Sequence, residues 1–158
     1  MELDFFNDQT KVSVNAAFNY AKENNYDYFS PIHLLVVFIK SDLQIKEILN
    51  YYNVNQNSIL NECIEATEKL SKESSETQIQ GNLILILQEA NKKMKTYKNK
   101  NISSSIILLE LCSDLSPITK NILSKNKINY GSLKNYIDNM REKQDKNNSF
   151  DLIQKFTS

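Results

Sequence analysis

Glycine and proline are almost absent from this chain, which contains two of each in 158 residues. These residue types supply the backbone conformations of tight β-turns, so their scarcity disfavours a fold built from hairpins and favours an all-helical chain. No apolar run reaches the length of a membrane span, and the N-terminus lacks a basic region followed by an apolar core. The length suits a single domain that buries roughly two-thirds of its surface on folding.

Histidine and cysteine are scarce as well. His33 is the one histidine. Because a general base needs an oriented partner and a metal needs several ligands, we expect His33 to be a packed residue in the first turn of a helix. Cys63 and Cys112 lack C-x-x-C spacing, and we interpret them as reduced core thiols. The chain contains no G-x-x-x-x-G-K-[ST] motif, so we predict that it has no ATP site, no metal site and no catalytic residues of its own.

Neither sign of charge is in excess, since 19 basic residues balance 19 acidic ones. No global field therefore draws the chain to nucleic acid or to an anionic membrane. The basic cluster of the sequence comprises Lys92, Lys93, Lys95, Lys98 and Lys100, with Tyr97 among them. Such a cluster is able to bind nucleic acid through phosphate contacts and stacking. We interpret it instead as a solvated helix face whose lysine stems lie along apolar surface.

One helical pattern occurs twice, around residues 10–64 and again around 83–137. The offset that places Val14 on Leu87 also places Phe29 on Ile102, and we call this offset the repeat shift. After a later loop the offset is larger by one position. An internal repeat of this kind indicates two copies of one supersecondary unit. We predict an all-α fold of eight helices in two tandem four-helix repeats, related by pseudo-two-fold symmetry because neither repeat closes its own core easily.

The predicted domain covers residues 1–142, with repeat one at about 1–70, a polar linker at 71–80 and repeat two at about 81–142. Residues 143–158 are expected to form a flexible tail leading toward a nucleotide-binding domain. Helix starts are marked by capping residues. The candidates are Asn7 or Asp8, Ser30 followed by Pro31, Ser41 or Asp42, Asn82, and Ser103 or Ser104.

The turn Phe29-Ser30-Pro31-Ile32-His33-Leu34-Leu35, its second copy Ile102-Ser103-Ser104, and the pairs Val54-Asn55 and Ile128-Asn129 carry a resemblance to a known family. Over about residues 1–142 the chain resembles the N-terminal domain of the Clp chaperone ATPases, and most of all the ClpB-type disaggregase. The resemblance implies a mobile, non-catalytic domain, monomeric when isolated, in a stress-response protein of the cytoplasm or an organelle matrix. That domain captures unfolded or aggregated polypeptide and passes it to the ring of its parent, a hexameric ATPase that uses ATP and magnesium.

The resemblance also implies where substrate binds. It places apolar groove residues at Leu87 and Ile106. The run Leu83-Ile84-Leu85-Ile86-Leu87 encircles a helix, so it is either a core helix covered on all sides or one whose Ile84 and Leu85 join the groove. Asn7, Asn99 and Ser105 stand where the ClpB-type pattern has threonine, aspartate and glutamate as polar substrate contacts. The turn glutamates that form phosphoarginine pockets in ClpC-type relatives are replaced by Ile32 and Ser105.

Two alternatives to capture of unfolded chains stay open. The first is a domain that docks adaptor proteins through polar surface, as in ClpA- or ClpC-type relatives. The second is a helical nucleic-acid-binding protein that uses the lysine face. A steep salt dependence of binding would favour the lysine face, whereas sensitivity to aliphatic truncation with little salt dependence would favour the groove.

Overall fold

The computed structural model describes residues 5–73, 75–97 and 101–157, with side chains up to residue 143. Over these residues the chain forms eight α-helices and two strands of two residues each. The helices are α1 Asp8–Glu23, α2 Pro31–Ser41, α3 Leu43–Tyr51, α4 Gln56–Glu68, α5 Gly81–Thr96, α6 Ser104–Leu111, α7 Pro117–Lys125 and α8 Tyr130–Thr157. The strands are β1 Tyr28–Phe29 and β2 Gln78–Ile79. The prediction of an all-α fold is confirmed.

The helix bounds repeat with the spacing that the sequence predicts. The repeat shift carries both ends of α1 onto the two ends of α5, and it carries the first residue of α2 onto the first residue of α6. Helices α7 and α8 each begin one position later than the same shift of α3 and α4 would place them. The additional residue therefore lies in the connection between α6 and α7.

Two short parallel main-chain pairings join the repeats reciprocally. Phe29 in β1 pairs with Ile79 in β2, which precedes α5. Phe6, which precedes α1, pairs with Ile102, which precedes α6. The repeat shift converts one pair into the other, so the leading segment of each repeat pairs with the internal turn of its partner. This exchange is the pattern that pseudo-two-fold symmetry produces. The predicted polar linker at 71–80 therefore contains strand β2 near its end.

The core is built around two central helices, α2 and α6. Residues 31–39 of α2 and all eight residues of α6 are buried. Helix α2 packs against α1 and α4, α6 packs against α5 and α8, and the two central helices contact each other. Each large aliphatic side chain that leaves water contributes about 1.5–3 kcal/mol. Burial on all sides therefore explains why the sequences of α2 and α6 are almost wholly apolar.

Four of the five predicted helix starts are found at the expected caps. The Thr10 N–H donates to Asn7 Oδ1 at 2.8 Å, and Pro31 is the first residue of α2. Asn82 is an exception, because the residue that precedes α5 is Gln80. The pairing of β2 with β1 sets this earlier start, and the Asn82 side chain instead donates to the Leu115 carbonyl at 3.2 Å.

A buried polar cluster links α1, α3 and α6. The hydroxyls of Ser13 and Ser104 donate to Asp42 Oδ2 at 2.8 and 2.6 Å. The other carboxyl oxygen of Asp42 accepts the Ile45 N–H at 3.2 Å and caps α3. Asp42 is fully buried, so these bonds replace the water that it loses. The prediction of a helix start at Asp42 is confirmed.

Helix α8 is longer than the sequence pattern suggests. It continues to Thr157, through the segment that is expected to be a tail beyond residue 142. No glycine or proline follows Gly131, so the two strongest helix-breaking residue types are absent from this segment. The end of the apolar stripe near residue 142 is therefore not the end of the helix.

Candidate functional site

An open groove of about 440 Å³ lies along α5. Its apolar walls come from Phe5, Phe6, Ile79, Ile84, Leu87 and Ile102, and two amide side chains, Gln88 and Asn91, complete it. None of these side chains carries a charge. We call this surface the α5 groove.

The five-residue apolar run of α5 serves both the core and the groove. Leu83 and Ile86 are fully buried, whereas Ile84 is 43% and Leu85 49% exposed. Leu87 is half-buried and packs against the edge of the core. Apolar surface of α5 is thus exposed at Ile84 and Leu85 and partly exposed at Leu87, and the binding of substrate there stays a prediction. Leu85 is exposed but does not line the groove.

Ile106 lies in the core rather than on an open surface. Its side chain has 0% exposure, because α6 is covered by α2, α3, α5 and α8. The prediction that Ile106 is exposed beside Leu87 is therefore wrong. Truncation of Ile106 would act on stability, not on an open binding surface.

Four of the six apolar residues of the groove wall were not predicted from the sequence. Phe5, Phe6, Ile79 and Ile102 reach the groove because they lie at the two main-chain pairings between the repeats. The usable signal was the repeat itself, since Phe6 and Ile79 are equivalent under the repeat shift. Both are large apolar residues just before a helix.

Asn7 and Ser105, two of the three polar contacts implied by the resemblance, line one cleft of about 560 Å³ between α3, α6 and α8. The Ser105 N–H donates to Gln44 Oε1 at 2.8 Å, and Asn7 Oδ1 is used in capping α1. Asn99 lies outside the described residues. We call this surface the polar cleft. It is distinct from the α5 groove, so the two sets of implied contacts belong to separate surfaces.

Two lysines of the basic cluster are engaged in ion pairs. Lys93 contacts the buried Glu110 carboxylate, and Lys92 contacts Glu89 at 3.0 Å. Burial lowers the pKa of Lys93, but its contacts with Glu110 and Tyr130 outweigh this and raise the pKa overall. Lys98 and Lys100 lie outside the described residues. The ion pair of Lys93 with Glu110 therefore links α5 to α6.

His33 is a structural residue, as predicted. It has 0% exposure, and its Nδ1 accepts the Ser30 N–H at 3.0 Å in the first turn of α2. The Tyr26 ring lies 4.5 Å from the imidazole, measured between ring centroids. Burial lowers the pKa of His33 to about 4. Burial likewise raises the pKa of each thiol, Cys63 and Cys112, to about 12.

Among the described residues, no group of three or more histidine, cysteine, aspartate or glutamate side chains could hold a metal ion. Over the same part of the chain, no helix is both long and apolar enough to cross a membrane. The described residues thus define a helical tandem-repeat domain with an uncharged groove along α5 and a polar cleft between α3, α6 and α8.

The chain belongs to the family of the Clp repeat (R) N-terminal domain, whose model matches residues 5–126. This domain is a non-catalytic N-terminal part of AAA+ ATPases. A structure from a malarial protein secretion system has a TM-score of 0.76 and 21% identity, covering 88% of this chain and 96% of its own. The Hsp104 N-terminal domain from Candida albicans has a TM-score of 0.72 and 21% identity, covering 84% and 88%.

A ClpV N-domain solved in complex with a VipB peptide is also similar. Its TM-score is 0.72 at 19% identity, with 89% of each chain covered. None of the three structures exceeds 21% identity to this chain, so the likeness shows a shared fold. The family membership rests on the matched residues 5–126.

Proposed function

We propose that this domain binds unfolded or aggregated polypeptide through the α5 groove and passes it to the ATPase ring of a ClpB-type disaggregase. The observation that carries the proposal is an uncharged groove with large apolar side chains left partly open to water. The parent protein would supply ATP, magnesium and a hexameric ring. Attachment through α8 would keep bound segments at high effective concentration near the ring.

The energetics of the groove suit weak and sequence-tolerant binding. A large aliphatic side chain left in water forgoes about 1.5–3 kcal/mol relative to full burial. Ile84 and Leu87 are partly exposed, so an apolar segment seated between them would recover part of that energy. Apolar contact is non-directional, which allows many client sequences to bind.

The chain offers a matched set of variants for the test. Leu87→Ser and Ile84→Ser change the groove, whereas Leu85→Ser changes a leucine that is more exposed than either and does not line it. Binding of each variant to a reduced, alkylated model protein would be measured by fluorescence anisotropy, with thermal melting as the folding control. Near-native melting with weaker binding for the two groove variants supports the proposal. Equal weakening by Leu85→Ser, or unchanged binding for all three, contradicts it.

Adaptor docking is the second candidate, and the polar cleft favours it. Ser105 and Gln44 place hydroxyl and amide groups at the cleft surface, and a ClpV N-domain of the same fold binds a VipB peptide. Ser105→Glu would change the cleft without touching the α5 groove. If the parent ATPase loses a folded partner from cell extract with this variant but keeps its binding to unfolded protein, the domain also docks an adaptor.

A further inference from the structure

We infer that the α5 groove binds its polypeptide in an extended conformation, with the partner's main chain paired to the open edge of β2 at Ile79. This inference rests on the proposed function and adds how the chain is held. The occupant is an uncharged stretch of polypeptide that joins β2 as a further strand.

The hydrogen bonds of β2 show which of its groups are committed to β1. The N–H groups of Gln78 and Gln80 donate to the carbonyls of Asp27 and Phe29, both at 2.9 Å. Successive residues of a strand face opposite edges. The N–H and carbonyl of Ile79 are therefore directed away from β1, and its side chain lines the groove.

The second pairing has the same arrangement at Phe6. The Asn7 N–H donates to the Ile102 carbonyl at 2.9 Å, and the Ile102 N–H donates to the Phe5 carbonyl at 2.6 Å. The peptide groups of Phe6 are thus directed away from Ile102, as those of Ile79 are directed away from β1. Phe6 is buried whereas Ile79 is partly exposed, so the strand edge available to an added strand is the one at Ile79.

The charge of the groove restricts the occupant. No charged side chain lines it, so a lysine or glutamate seated there would lose its hydration without gaining a partner. Asn91 Oδ1, on the groove wall, is buried and has no hydrogen-bond partner among the described residues. A main-chain N–H from an extended segment is a donor of the kind that this oxygen lacks. An uncharged segment with alternating large apolar side chains therefore fits the groove.

Backbone methylation of a probe peptide tests the pairing directly. The probe is a capped peptide in which threonine alternates with valine and phenylalanine, and N-methyl groups are placed on one residue at a time. Because Ile79 directs a single carbonyl away from β1, one N–H of the probe pairs with it, and methylation should weaken binding about tenfold at one position and little at its neighbours. A uniform effect, or none, overturns the strand pairing.

Two substitutions at Ile79 separate its peptide group from its side chain. Ile79→Pro removes the N–H that faces away from β1, while the bonds of Gln78 and Gln80 to β1 stay in place. Ile79→Ala keeps that N–H and shortens the groove wall. Ile79→Pro removes the bond that the Ile79 N–H donates to a probe carbonyl, so we expect it to weaken binding more than Ile79→Ala does. The position-specific effect of probe methylation reports on the Ile79 carbonyl and should persist in both variants. Binding that Ile79→Pro weakens no more than Ile79→Ala overturns the assignment to Ile79.

The outcomes distinguish this inference from the proposed function. If unmodified probe and unfolded protein both bind, and both are weakened by Leu87→Ser, the groove is the binding site whatever the methylation result. If Leu87→Ser leaves the binding of both ligands unchanged, the proposed function fails and the strand pairing fails with it. A probe that does not bind at all also overturns the pairing, since an uncharged alternating segment is the occupant that the inference requires.

Discussion

His33 makes the stability of the domain depend on pH. Burial lowers the pKa of its imidazole from 6.5 to about 4 in the folded chain. Between these values the unfolded chain binds a proton that the folded chain excludes, so stability is fully present above the unfolded pKa and is lost as pH falls toward 4. The complete effect is about 3 kcal/mol, and about 2 kcal/mol of it is lost by pH 5.

The matched variant is His33→Gln. Glutamine at this third helical position provides an acceptor for the Ser30 N–H, as in a capping box, but does not titrate. Urea unfolding of both proteins at pH 7, 6 and 5 would measure the free energy of unfolding. Carboxylates titrate in both proteins alike, so the difference between the two curves isolates the imidazole. We expect the wild-type chain to lose about 2 kcal/mol more than the variant between pH 7 and 5.

Parallel pH curves for the wild-type chain and His33→Gln would refute the reasoning. So would an imidazole titration, followed by NMR in the folded domain, with a midpoint near the ordinary histidine value. Either result would mean that water reaches His33, in conflict with its complete burial.

Three further predictions concern the core, the buried polar cluster and the absent chemistry. Ile106→Ala should lower the free energy of unfolding by about 2–5 kcal/mol, and Leu87→Ala by clearly less, in denaturant titrations; equal losses would contradict the placement of Leu87 at the rim. Asp42→Ala should cost about 1–3 kcal/mol, because it leaves two buried serine hydroxyls without their acceptor; an unchanged urea midpoint would show that the cluster adds nothing. The purified chain should not hydrolyse ATP, since its sequence contains no P-loop motif, and should not bind phosphoarginine, since Ile32 and Ser105 replace both turn glutamates. ATP turnover, or micromolar phosphoarginine binding by calorimetry, would disprove this.

The repeat made most of the fold predictable. Once Phe29 is aligned with Ile102, local rules for caps and apolar stripes give the five predicted helix starts to within about two residues. The length of α8 was not predictable from its apolar stripe, because a polar sequence without glycine or proline is able to continue a helix beyond the end of the stripe. Asn82 was misplaced for a different reason, since the β2 pairing that sets the start of α5 is a long-range contact.

The site was less predictable than the fold, because it depends on which faces of each helix are packed against neighbouring helices. Periodicity shows that α5 is apolar on several faces, but it does not show that Leu83 and Ile86 are covered while Ile84 is left open. The sequence of α6 is likewise apolar on several faces, but here every face is covered and Ile106 is buried. The contributions of Phe5 and Ile79 follow from pairings between distant segments, which a local pattern does not contain.

The reciprocal pairings between the repeats form only after both partners of each pair have been synthesised. Phe29 leaves the ribosome well before its partner Ile79, and Phe6 leaves it even longer before Ile102. At roughly 5–20 residues per second, repeat one waits for seconds without its partners. The first four helices cannot reach their final arrangement until the turn before α6 has emerged, so the nascent first repeat is itself an incompletely folded chain. For a few seconds the domain is in the same physical state as the polypeptides that it is proposed to bind.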